Sequence, residues 1–217
     1  MTLNPLVTQT LTTAQITIEI AATAAFALSG ILEAVRKKLD VVGMTVVAFL
    51  AAFGGGTLRD VLLDRRPFFW VEHSWYVWAV LGLCVATGAW LRGHHLALTE
   101  RAMQWPDALG LGLFAASGTQ IALAAQMPPL IAVLMGVMTA VFGGVLRDIV
   151  CNEIPSAFHG HQPYAVCAFA GGWAVVGAQA LGLPGDLALA VGAVVASGLR
   201  LLAVWRDWRL PDLRIHR

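Results

Sequence analysis

Seven apolar runs, each close to the roughly 20 residues that a helix needs to cross a bilayer core, govern what this chain can become. They cover 14–35, 41–63, 75–92, 107–125, 129–150, 163–182 and 186–205. The segments between them are polar: "RKKLD", "DRRP", "RGHHLALTERAMQWPD", "QMPP", "NEIPSAFHGHQP" and "LPGD". Proline recurs there because it cannot donate to a helix ladder. The chain is 58% hydrophobic and 12% charged, where a soluble domain carries about a quarter charged residues. The expectation is an all-α integral membrane protein with seven transmembrane helices. "MTLNPLVTQTLTTAQ" lacks the basic start of a secretory signal, so the first run is expected to be retained.

Charge sets the orientation. Basic residues gather on the cytoplasmic side of membrane proteins. With the N-terminus outside, ten basic residues fall on or near that side: Arg36, Lys37, Lys38, Arg92, Arg101, Arg200, Arg206, Arg209, Arg214 and Arg217. Only Arg65 and Arg66 fall on the other. The prediction is a periplasmic N-terminus and a cytoplasmic C-terminus. The 14 Lys+Arg and 13 Asp+Glu nearly cancel, and no basic patch suggests a nucleic-acid partner.

An internal repeat is visible at an offset of 88 residues, where "FGGGTLRD" (53–60) meets "VFGGVLRD" (141–148). From Phe26 to Pro67, 12 of 42 positions are identical without a gap, including Ser29/Ser117, Arg59/Arg147, Asp60/Asp148 and Pro67/Pro155. Tyr76 and Tyr164 keep the same offset. Each copy holds three runs, 14–92 and 105–182, and the seventh run, 186–205, stands outside. Three is odd, so the second copy enters the membrane from the opposite side, as an inverted repeat. Such repeats recur in transport proteins, with the pathway between the halves.

The repeated motif contains groups that lipid does not favour. Gly54, Gly55 and Gly56, with Gly143 and Gly144, can serve close helix packing or expose backbone to a polar pathway. A charge near mid-membrane costs about 2.5–3.5 kcal/mol by insertion scales, so Arg59, Asp60, Arg147 and Asp148 need partners or water. Gly55 and Arg59, like Gly56 and Asp60, are four apart and share a helix side. Adjacent residues point about 100° apart on a helix, so Arg59 and Asp60 are expected to bond other helices rather than each other. They are read as pore-mouth or bracing charges. Ser29, Ser117 and Thr57 are secondary candidates. Glu19 and Glu33 are read as having no acidic counterpart in the fourth run.

Cys84, Cys151 and Cys167 are read as apolar packing residues. His94, His95, His159 and His161 are read as solvent-facing loop residues. No metal site is expected. The sequence has no Walker motif, no paired zinc ligands and no GxSxG, so no enzyme is expected.

Three plus three plus one helices with paired GG-x-L-R-D motifs resemble the trimeric intracellular cation channel family. They also resemble its bacterial relatives, built from two copies of a putative glycine transporter domain. The resemblance covers residues 15 to 206. It implies a homotrimer in the bacterial inner membrane, each protomer with a potassium-permeable pore between kinked second and fifth helices. Gly54–Gly56, Gly143 and Gly144 would then sit at the kinks. It implies potassium as the permeant ion and no cofactor. Phe142 replaces the first glycine of the second triplet, which departs from the pattern. Animal members are regulated through a basic residue and phosphoinositide; the aligned loop "QMPP" is uncharged, so that property is not carried over. The repeat fits a channel and a secondary carrier of a small solute such as glycine equally; the resemblance favours the channel.

Overall fold

The computed structural model describes residues 13–92, 100–158 and 162–210. Eight helices form among them: α1 (Thr13–Arg36), α2 (Val41–Leu62), α3 (Phe69–Glu72), α4 (Trp75–Arg92), α5 (Glu100–Ala124), α6 (Pro129–Val150), α7 (Ala165–Ala180) and α8 (Gly185–Trp205). The count exceeds the predicted seven because α3, four residues long, lies between the second and third runs. The helix predicted to start at 107 starts at Glu100 and runs through Pro106. Proline removes one ladder bond there and leaves the others in place. Five helices (α1, α2, α5, α6 and α8) are long and apolar enough to cross a membrane, and Trp75–Trp90 and Ala165–Ala180 form shorter apolar helices. His94, His95, His159, His161, Arg214 and Arg217 lie outside the described residues.

Local chemistry sets the helix ends. Asp40 caps α2 by accepting from the Gly43 amide at 2.7 Å. A residue in the left-handed region follows six helices: Lys38, Asp64, Gln126, Asn152, Gly182 and Asp207. Each is bracketed by a backbone bond that closes the last turn, such as Arg65 N to Asp60 O and Glu153 N to Asp148 O. Lys38 and Gln126 are 88 apart, as are Asp64 and Asn152, so the helix terminations obey the repeat.

The packing obeys it too. A Cβ on Gly30 would lie 2.9 Å from Ala48 Cα, and one on Gly118 would lie 3.0 Å from Gly136 Cα. Adding 88 converts the first contact into the second. Between the halves, a Cβ on Gly55 would overlap the Thr139 carbonyl oxygen, and one on Gly143 the Ala51 carbonyl oxygen. This reciprocal pair is what a two-fold axis between α2 and α6 produces. Phe26 and its equivalent Phe114 stack on each other, centroids 5.6 Å apart.

Ion pairs fix the helix directions. Glu19, near the start of α1, meets Arg59, near the end of α2, so α1 and α2 run oppositely. Lys37, past the end of α1, pairs with Glu153, past the end of α6, so α1 and α6 run the same way. The equivalent helices α2 and α6 are therefore antiparallel. α8 packs on α5 and α7.

Candidate functional site

Two buried clusters of ionised side chains stand at opposite ends of the crossing pair α2 and α6. In the first, Arg59 donates from Nη1 to Glu19 Oε1 at 2.6 Å and from Nε to Asp60 Oδ1 at 2.9 Å. Asp60 Oδ2 accepts from the Phe69 amide at 2.9 Å. Ser117 donates to Glu19 Oε1 at 3.2 Å, crossing from the second half to the first. Arg65 approaches Asp60 Oδ1 to 3.5 Å.

The second cluster repeats the first. Arg147 donates from Nη1 to Asp107 Oδ1 at 2.6 Å and from Nε to Asp148 Oδ1 at 2.8 Å. Asp148 Oδ2 accepts from the Ser156 amide at 2.8 Å. Ser29 accepts from Arg147 Nη1, the reverse crossing. Arg200 of α8 lies over the Tyr164 ring, 4.9 Å from its centroid, and donates to Gln162 at 3.1 Å. Arg59 and Arg147 are at most 1% exposed.

Two expectations are corrected here. Arg59 and Asp60 bond each other, as do Arg147 and Asp148. The 100° between their Cα–Cβ directions is bridged by the long arginine stem, which curls back so that Nε faces the neighbouring carboxylate. The acidic counterpart of Glu19 exists: it is Asp107, at the offset of 88. The sequence pattern hides it, because the fourth apolar run begins at that residue and Asp107 looks like a boundary charge. Glu33 is different, pairing with Arg36 at 2.7 Å.

The glycines divide by what faces them. Gly55 and Gly143 face backbone across the α2–α6 crossing, Gly54 faces the Leu146 side chain, and Gly56 faces the Phe69 ring. Gly144 faces polar atoms: from its Cβ position, Tyr164 Oη is 3.1 Å away, Asp107 Oδ1 3.7 Å and Arg147 Nη2 3.8 Å. α2 and α6 remain helical through both glycine groups. Thr57 donates to the Phe53 carbonyl at 2.7 Å and accepts from Trp70 Nε1 at 3.0 Å. It anchors the α3 segment. Cys84, Cys151 and Cys167 are buried free thiols.

The electrostatic consequence is specific. Each buried arginine serves two carboxylates, so each three-residue core carries one net negative charge before Arg65 or Arg200 is added. Such cores can brace helices and lower the energy of a cation nearby. Beyond the helix end, Glu153 bridges Lys37 and Arg36. Its hydrogen bond from Lys37 holds its carboxyl below the usual carboxylate range. That link is retained at neutral pH and lost as acid protonates Glu153 through this lowered value.

Known proteins are similar to this chain in sequence and fold. A family model described as "Glycine transporter" matches twice, over residues 16–92 and 104–180. A UPF0126 membrane protein of Vibrio cholerae is 35% identical over 202 residues, covering 91% of this chain and 82% of its own length. The UPF0126 inner membrane protein YadS of Escherichia coli (strain K12) is 35% identical over 205 residues, covering 91% of this chain and 95% of its own. A solved trimeric intracellular cation channel orthologue from Rhodobacter sphaeroides superposes with a TM-score of 0.84 at 37% identity, covering 91% of this chain and 100% of that one. A second solved structure, of a TRIC cation channel, gives 0.82 at 33% identity over 93% of this chain and 98% of its own.

Proposed function

The chain belongs to the glycine transporter family of membrane proteins, to which the solved trimeric intracellular cation channels are structurally similar, and we propose that it is a passive cation channel permeable to potassium. The observation that carries this reading is its likeness, over nearly the whole chain, to solved cation channels.

Seven of the eight helices cross the inner membrane in this reading, with α3 at one surface. The two three-helix units are inserted with opposite polarity, which the antiparallel α2 and α6 support. The N-terminus lies in the periplasm and the C-terminus in the cytoplasm. The pathway runs within one protomer, beside α2 and α6, and three protomers assemble. Asp60 and Asp148 raise the cation concentration near either mouth. Arg59 and Arg147 brace the helices, Gly55 and Gly143 permit their crossing, and no reaction is catalysed.

A secondary carrier of a small solute such as glycine is the second reading, favoured by the description of the matching family. Purified protein in liposomes separates the two. The channel reading expects potassium efflux down its gradient without glycine uptake. Glycine accumulation driven by an ion gradient, without passive potassium flux, refutes it.

A further inference from the structure

The two ends of the molecule repeat each other in their arginine–carboxylate cores but differ in the ring beside them, and the difference is of the kind that closes a pathway. At the first cluster, the amide that Asp60 holds belongs to Phe69. The Phe69 ring turns inward and is 4% exposed. Its edge fills the space that a side chain on Gly56 would need. Its centroid is 5.5 Å from the Arg59 guanidinium carbon, and Phe53 and Tyr76 hold it at 5.9 and 5.6 Å.

At the second cluster, the equivalent amide belongs to Ser156. The residue 88 positions after Phe69 is Ala157. The nearby aromatic, Phe158, is 76% exposed and so faces away. The notch at Gly144 is bordered by the Tyr164 hydroxyl, a carboxylate oxygen of Asp107 and a guanidinium nitrogen of Arg147. The first end is therefore closed over its guanidinium by a phenyl ring, and the second by the buried Tyr164, whose hydroxyl faces Gly144.

We propose that Phe69 is an apolar plug that closes the pathway at the Arg59 end. An apolar constriction stops ions by excluding the water they carry. The form of α3 suits a plug, because the helix is short and its start is tied to the α2 charges by one hydrogen bond. Glycine at 56 is required because the ring occupies the position of its side chain. The proposal rests on the reading of the protein as a membrane pathway, but not on which solute moves.

The test measures potassium flux and glycine uptake in liposomes for wild type, Phe69→Ala and Phe158→Ala, each checked for its native oligomer. Removing an apolar constriction is expected to raise the carried flux in Phe69→Ala, with Phe158→Ala unchanged. If Phe69→Ala does not assemble, Phe69→Leu replaces it, and a smaller rise is expected. An assembled Phe69 variant with wild-type flux for both solutes overturns the plug, as does an equal rise in Phe158→Ala. A rise confined to glycine retains the plug and overturns the cation reading.

Discussion

Arg59 and Arg147 are the residues on which the buried charge depends. Each holds two carboxylates. Removing one partner of a buried ion pair costs on the order of 3–5 kcal/mol, because the other is left charged and unpaired. Arg59→Ala and Arg147→Ala should therefore lower the yield of intact oligomer and its thermal stability, which size exclusion and a melting curve would show. Normal assembly of either variant would place the arginine in the pathway rather than in the frame. Asp60→Asn and Asp148→Asn keep the shape and remove one negative charge. They should lower cation conductance, and the loss should shrink at high salt, where the Debye length falls from about 10 Å at 0.1 M to about 3 Å at 1 M. Single-channel currents at low and high potassium check both halves of that statement. The carboxylates were legible from the motif, but their partners were not. A sequence shows which groups must be neutralised; which atoms meet depends on how a long side chain curls, as the Arg59–Asp60 bond illustrates.

At the scale of elements, the α2–α6 crossing is set by Gly55 and Gly143. Each lies against a carbonyl oxygen of the opposite helix with no room for a methyl group. Gly55→Leu or Gly143→Leu must separate the helices, and overpacking of this kind costs about 1–3 kcal/mol or more. The expected result is a lower melting temperature together with lost flux. Lost flux at unchanged stability would mean that leucine had filled a lumen instead. The hydrophobic runs located every described helix except α3, five of them long enough to cross a membrane and two with shorter apolar stretches. α3 gave no such signal: four residues, "FWVE", are too few to show a period. The early start of α5 was masked by charged residues and Pro106, which resemble a loop.

For the whole molecule, the repeat at offset 88 was legible and its consequences largely were not. Identity at Arg59/Arg147 suggested two similar ends, yet the pairing of Gly55 with Thr139 and of Gly143 with Ala51 involves positions that are not identical to each other. Backbone carries these contacts, so side-chain identity does not record them. The direction of insertion is open to a simple check: a reporter active only in the periplasm, fused after Arg217, should be silent. Activity there would reverse the orientation drawn from the basic residues. Whether ions pass, and whether they are cations, is tested most directly by the reversal potential of the purified protein in a planar bilayer between unequal potassium chloride solutions. The cation-channel reading predicts a reversal close to the potassium equilibrium potential. Reversal at the chloride potential, or no current from correctly assembled protein, would contradict a cation pathway.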